Sequence, residues 1–399
     1  MRSFDVAERR ARLARRHRLA PSDRAASVEE AARSLVCLHA TDPATVYLSA
    51  RSRVAAMTTA DMDRALYDDR TLVKHLAMRR TLFAFPREVL DAVQGGASAK
   101  VAAAERRRLV RAVEQAGLRS DAEAWFDAAR EAVLTALAGG REATSTELRA
   151  EIPLLAGSLS YGEGRSWGGQ VPVGPRVLTV LSAAGELVRA SNAGGWTTSR
   201  PRWATMASWL GRPLDPPDEA TGTAQLVRAW LAAFGPGTEQ DLKWWLGGTL
   251  AGTRRALAAV GAVEVDLGGG RVGHVLPDDL EPTERSGPWV ALLPALDPTT
   301  MGWFERDWYL SGHRTAVFDG NGNGGSTAWS DGRIVGGWHQ SETGEVAVGL
   351  LEPVDPAVER ALTEEAGRLT DWLSGVRVAE RFPSPLTRRA GGKGPGPEA

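Results

Sequence analysis

Thiol chemistry is almost excluded by composition, because Cys37 is the only cysteine among 399 residues. One cysteine allows no disulfide within the chain and no thiolate zinc cluster, which fits a reducing, cytoplasmic setting. Long apolar runs are missing as well. No stretch reaches the ~20 residues that a membrane span needs, so no membrane partner is expected. The amino terminus, MRSFDVAERRARLARRHRLA, has no apolar core. That excludes a secretory signal and leaves only a transit peptide open. Lysine is scarce, 4 against 44 arginines, which points to a GC-rich genome rather than to a mechanism.

Metal and nucleotide motifs are also lacking. Asp319, Asn321, Asn323 and Gly324 begin like a calcium loop, but its twelfth position is Ser330, where a bidentate Glu is required. The same glycine-rich stretch has no GK[ST] and is not a P-loop. HExxH, GxSxG and zinc-deaminase patterns do not occur. No metal and no other cofactor is expected.

What is present is a chain long enough for two to four compact units. Its net charge of −1 hides an asymmetry. Residues 1–110 hold 21 Lys plus Arg against 13 Asp plus Glu, a surplus of 8, which leaves the remainder at −9. A basic amino-terminal third suits a phosphate-facing surface, and equally a solvated helical face.

The stretch SVEEAARSLVCLHATDPATVYLSARSRV carries the most information. Ser27 and Glu30 have capping-box spacing, and Val28, Ala32, Leu35 and Leu38 fall at helical intervals. Asp42 and Pro43 form an N-cap and first-turn pair, which predicts a second helix from Pro43. His39 and Thr41 then occupy a corner between two helices. Thr58 and Asp61 cap another helix, and LVKHLAM and RTLFAFP read as two strands joined near Arg79 and Arg80. Residues 98–139 read as helical up to Gly139 and Gly140.

Two later segments repeat one another. Thr144 and Glu147 cap one helix, Thr238 and Asp241 another. Each unit then runs through a second helix, a glycine (Gly185 or Gly261) and a short apolar strand. From about Ser286 the pattern turns to strands, with Asp331-Gly332 as a hairpin turn and Asp355-Pro356 as the start of a terminal helix. Disorder is expected after about Pro385.

The frame of the corner, the recurring units and the segments LLPALDPTTMGW, DGNGNGG and WSDGRIVGGW together resemble the AlkZ-like family of DNA glycosylases. The resemblance spans roughly residues 1–380. In that family the corner usually reads Gln, apolar, Gln, Asp, Pro; here it reads His39, Ala40, Thr41, Asp42, Pro43. The resemblance implies an α+β fold of tandem winged-helix domains followed by a small C-terminal β-barrel. The expected units are a first winged helix with the catalytic corner (1–97), a helical segment and second winged helix (98–218), a third winged helix (219–285), a β-barrel with terminal helix (286–385) and a disordered tail (386–399).

The resemblance further implies a monofunctional glycosylase acting on double-stranded DNA with alkylated (N7 or N3) or bulky-adduct purines, in repair or in self-resistance to a genotoxic natural product. A monomer is expected. His39, Thr41 and Asp42 are the catalytic candidates. A histidine whose ordinary pKa lies near working pH can orient or deprotonate a water. The bland reading is that His39 ends a helix, Thr41 bonds the turn backbone and Asp42 is only a cap. Arg51, Arg53, His75, Arg79, Arg80, Arg202, Arg254 and Arg255 are candidates for contacting DNA. Trp196, Arg200, Arg202 and Trp203 interleave as aromatics and cations do around unstacked bases, or form core and rim. Two rival functions stay open. One is a non-catalytic winged-helix DNA-binding protein, a regulator or adduct-binding factor. The other uses the barrel for a small molecule or a protein.

Overall fold

Capping side chains decide where the amino-terminal helices begin. In the computed structural model, which describes residues 1–161 and 169–390, Asp5 accepts from the Glu8 N–H and opens α1, Val6–Arg16. Ser27 accepts from the Glu30 N–H and opens α2, Val28–Ser34. The return bond from Glu30 reaches the Ala26 N–H rather than that of Ser27. Helix α2 stops short of its apolar spacing. Val36 has φ +66°, the chain leaves the helix, and Leu38 belongs to strand β1, Leu38–His39. Asp42 accepts from the Ala44 N–H and opens α3, Pro43–Arg51. A complete Thr58/Asp61 capping box opens α4, Thr59–Asp63.

Strands β2, Leu72–Ala77, and β3, Thr81–Pro86, form the expected hairpin, with Arg79 and Arg80 at positive φ in its turn. Strand β1 pairs with the other edge of β3, giving the order β1-β3-β2. Two rows cross this sheet. Leu38 faces Ala84, which faces Lys74; His39 faces Phe83, which faces His75. Directly paired residues project to the same side and neighbours in a strand to opposite sides. His39 and Lys74 therefore lie on opposite faces.

Helices α5 (Leu90–Val93), α6 (Ala99–Gln115) and α7 (Ala122–Ala136) lead into the second unit. It contains β4 (Ala143–Thr144), α8 (Ser145–Glu151), the paired strands β5 (Ser158–Tyr161) and β6 (Gly169–Pro172), α9 (Val173–Ala183), β7 (Leu187–Asn192), β8 (Pro201–Thr205) and α10 (Met206–Leu210). Strands β4, β8 and β7 make its sheet. Helix α11, Glu219–Phe234, precedes the third unit: α12 (Glu239–Leu246), α13 (Leu250–Ala259) and the hairpin β9 (Val263–Asp266) with β10 (Val272–Val275).

The carboxy-terminal strands do not close into a barrel. Strands β11 (Val290–Leu293), β12 (Thr327–Ser330), β13 (Arg333–Gln340) and β14 (Val346–Leu350) form an open antiparallel sheet in that order, with β11 and β14 as unpaired edges. Four short strands cannot curl far enough to meet. Their apolar face is covered by helices instead. Leu362, Ala366, Leu369 and Leu373 of α17 (Pro356–Leu373) pack with Leu292, Val335 and Trp338, and Ala44 and Leu48 of α3 join the same cluster. Three four-residue helices, α14 (Pro298–Met301), α15 (Asp307–Leu310) and α16 (Arg314–Val317), lie between β11 and β12. Helix α18, Pro385–Ala390, occupies the start of the segment expected to be disordered; 391–399 lie outside the described residues. Among the described residues no helix is long and apolar enough to cross a membrane.

Candidate active site

The corner is fastened to the sheet before it turns. The Ala40 N–H donates to the Leu82 carbonyl at 2.9 Å, and the His39 ring stands edge-on to Phe83 at 5.3 Å. The Thr41 N–H donates to His39 Nδ1 at 3.4 Å. That makes Nδ1 the acceptor and puts the ring proton on Nε2. Among the described residues Nε2 has no hydrogen-bond partner. Burial, and then the positive charge of Arg79, push the imidazole down to about 3. His39 is therefore neutral at pH 7 and a poor proton acceptor, which corrects the expectation of a base with an ordinary pKa. Thr41 is half-buried.

Asp42 is spent on structure. Its Oδ1 accepts from the Ala44 N–H at 3.1 Å and its Oδ2 from the Arg381 N–H at 3.3 Å. Burial raises its pKa. Each oxygen thus accepts one backbone N–H, which gives Asp42 the capping role and ties the corner to the segment of Arg381.

Three of the expected DNA contacts are engaged within the protein, Arg53 and His75 fully buried and Arg51 partly so. The Arg53 guanidinium, with no exposed surface, donates to Asp297 Oδ1 at 2.7 Å and Oδ2 at 2.9 Å, to Thr299 Oγ1 and to the Ser49 carbonyl. Arg51 is ion-paired with Glu365 of α17. His75 is fully buried because its strand position turns it to the Phe83 side of the sheet. Its Nε2 donates to Gln94 Oε1 at 2.9 Å, and burial pushes it down to about 4. These three hold helices and sheets together and cannot reach a duplex.

The remaining arginines are at the surface. Arg79 lies on the Trp244 ring at 3.9 Å, with Arg306 on the same ring at 4.7 Å, and is near enough to His39 to depress its pKa. Arg80 pairs with Glu105 at 2.7 Å. Arg202 bonds the Glu142 carbonyl and Glu147 within the second unit. Arg254 is bound to Glu239 within the third, and Arg255 is exposed with no ion pair among the described residues. The structure thus brings Arg79 to the corner and leaves Arg202, Arg254 and Arg255 on other units. Trp203 is buried core, while Trp196 reaches across to Tyr47 at 5.4 Å and Trp372 at 5.6 Å.

Sequence reasoning missed a polar group beside the corner. The Lys74 ammonium donates to the Tyr67 hydroxyl at 2.6 Å, and Tyr47 of α3 donates to Asp63 at 2.6 Å. The one signal for it was a lysine in the otherwise apolar strand LVKHLAM of a chain nearly without lysine. Among the described residues no group of three or more His, Cys, Asp or Glu is arranged to hold a metal ion.

Comparison with known proteins adds the family. The model of the family described as DNA glycosylase AlkZ-like matches residues 32–372. Among solved structures, Streptomyces sahachiroi DNA glycosylase AlkZ superposes with a TM-score of 0.73 at 22% identity, over 96% of this chain and 99% of that chain. That likeness speaks to the fold, which is mixed α and β. No curated protein matches the sequence. The family match runs unbroken from α2 into α17 and includes the whole corner, and on that ground the chain belongs to the AlkZ-like family of DNA glycosylases.

Proposed function

We propose that the protein is a monofunctional DNA glycosylase that hydrolyses the N-glycosidic bond of N7- or N3-alkylated, or bulky-adduct, purines in duplex DNA. Repair, or self-resistance to a genotoxic natural product, would be its role, and it would work as a cytoplasmic monomer whose three helix-and-hairpin units act as winged helices along the duplex. The observation that carries this reading is the neutral His39, with Nδ1 engaged by the Thr41 N–H and Nε2 left without a partner at the corner that matches the family's catalytic frame.

The chemistry suits a neutral imidazole. Alkylation at N7 or N3 leaves a cationic base that departs with the C1′–N electron pair and becomes neutral. The enzyme must place a water under the oxocarbenium-like sugar and has little need of an acid. His39 Nε2–H donates to the water oxygen, and the Thr41 hydroxyl accepts one water hydrogen. The oxygen's remaining lone pair is directed at C1′, and the proton released goes to solvent. Burial, and then the charge of Arg79, keep His39 neutral, and Arg79 offers a charge to a phosphate.

The test is a duplex with one defined N7-alkylguanine, incubated with protein, treated with alkali and scored for strand cleavage. His39→Ala should slow base release by about 100-fold or more with duplex affinity retained, and Thr41→Ala by about tenfold. No cleavage on small or bulky adducts, despite tight salt-sensitive binding, would sink the reading and favour a non-catalytic DNA-binding protein.

A further inference from the structure

The second unit holds a cavity lined by cations and lying apart from the corner. It measures about 550 Å³ and sits where the start of α8, one face of α9 and the loop between β7 and β8 converge. Arg189 and Arg200 line it together with Ser145, Thr146 and Ser199, and among the described residues no aspartate or glutamate does. Arg189 is directly opposite Trp203 in the pairing of β7 with β8, and its guanidinium lies over that ring at 5.4 Å. Its Nε is buried without a hydrogen-bond partner, and the side chain has no ion pair among the described residues. Burial lowers its pKa. Arg53 shows how this protein neutralises a buried guanidinium when the charge is purely structural, by a two-pronged carboxylate. A buried guanidinium with no counter-ion costs stability unless an anion arrives to balance it.

Arg200 adds a second charge from a loop that is already fixed. Asn192 Oδ1 accepts from the Arg200 N–H at 2.8 Å, Asn192 Nδ2 donates to the Thr198 carbonyl at 2.7 Å, and the Ala193 N–H donates to the Arg200 carbonyl at 2.9 Å. The Arg200 side chain is exposed and has no ion pair among the described residues. Arg202, two positions on, is instead bound to the Glu142 carbonyl and to Glu147. Trp203 is buried under Arg189, so the aromatic and cationic residues of this segment give no open ring on which a base could stack. What they leave open is a set of donors, two guanidinium groups and three hydroxyls, with exposed Ser199 and Arg200 at the mouth. Guanidinium and hydroxyl donors without a carboxylate suit the oxygens of a phosphate.

We infer that this cavity is a phosphate site that takes a backbone phosphodiester of the duplex, away from the nucleotide held at the His39–Thr41 corner. The inference rests on the DNA glycosylase reading above. A phosphate fixed there adds affinity and sets register without reading sequence, while the bond cleavage stays at the corner.

The experiment is fluorescence anisotropy of the full chain across a KCl series, on an undamaged duplex and on one with a tetrahydrofuran abasic analogue. The variants are Arg200→Gln, Arg189→Met and the double variant, with circular dichroism to confirm folding. Arg212→Gln, which removes an exposed arginine paired with Asp91 outside the cavity, controls for net charge. Losing one phosphate contact should lower the slope of log Kd on log salt by about 0.9 and weaken binding about fivefold at ~0.15 M KCl, equally on both duplexes, with the control unchanged. A folded double variant that keeps the wild-type slope overturns the site. If Arg189→Met does not fold, Arg200→Gln decides alone, since its side chain is exposed: an unchanged slope overturns the site. A loss confined to the abasic duplex also overturns it, because the contact would then lie at the lesion. Inorganic phosphate at matched ionic strength separates free anion from DNA. Thermal stabilisation by phosphate that Arg200→Gln removes, without any change in the DNA slope, overturns the DNA assignment. Base release by the wild-type chain from the N7-alkylguanine duplex is scored separately. Its absence with a falling slope removes the glycosylase reading and keeps the phosphate site; its presence with an unchanged slope does the reverse.

Discussion

Phe83 has a histidine on either side of it in one row of the first sheet, and both are held neutral by burial. The two serve different ends. His75 is enclosed and gives its Nε2 proton to Gln94, so it is a packing residue. His39 gives its Nε2 proton to nothing within the described residues. With His39 at about 3, its protonation state does not change between pH 6 and 8. Single-turnover base release should therefore be flat across that range. A limb near pH 6.5 that vanishes in His39→Gln would show an imidazole acting as an ordinary base and contradict the water-placing role. The candidacy of His39 was legible in the sequence, because a cap-defined corner is a local feature. Its protonation state was not, since the burial that sets it comes from residues 40 or more positions away. The burial of Arg53 was equally invisible, because Asp297 lies on a distant segment that only folding brings to α3.

Where two elements meet without side chains, backbone contact sets their spacing. Gly96, in the wide helical stretch Gln94–Ser98, meets Gly222 of α11. A Cβ on Gly222 would sit 2.5 Å from the Gly96 nitrogen and 2.8 Å from the Ala92 carbonyl oxygen. Neither backbone atom can move alone. Gly222→Ala should lower stability by about 1–3 kcal/mol through this overpacking. Helix propensity would favour the alanine by about 1 kcal/mol. Urea unfolding separates the two, and a midpoint at or above wild type would show that the helices have room to part.

At this scale the sequence was informative wherever the signal is a cap or a turn. The boxes at Thr58, Thr144 and Thr238 and the positive-φ pair Asp331 and Gly332 lie where their local chemistry put them. It misled where tertiary pairing decides. Leu38 fits the apolar spacing of α2, yet β3 draws it into a strand. Strand propensity alone also could not say that β11 and β14 stay apart as edges. Helix α11 passed without notice because no capping box of the Ser/Thr-x-x-Glu kind marks it, only Asp218.

Across the whole molecule, buried histidines tie distant segments together, and this makes acid the condition to which the fold should be most sensitive. His17 of the α1 carboxy-terminal end sits between Thr299, at 2.7 Å from Nδ1, and the Ala233 carbonyl, at 3.2 Å from Nε2. Thr299 Oγ1 already accepts from Arg53, so its own hydrogen goes to Nδ1, and the ring donates through Nε2. A second ring proton would break that arrangement at the point where α1, α11 and the carboxy-terminal region meet. Burial pushes His17 well below its ordinary value, with His39 at about 3 and His75 at about 4. The unfolded chain takes up these three protons below about pH 6.5 and the folded chain does not. Stability is then full above pH 6.5 and is lost as pH falls toward 4. Asp42 and Glu380, whose pKa values burial raises, act in the opposite sense above the ordinary carboxylate range. Between pH 6 and 5 the histidines should dominate, costing up to about 4 kcal/mol per pH unit. Calorimetry from pH 7 to 5 should show Tm falling steadily in one transition, with a shallower slope in His39→Gln. A Tm that holds constant over that interval would mean that these rings are reached by protons without unfolding, and the neutral His39 on which the proposed chemistry depends would have to be abandoned.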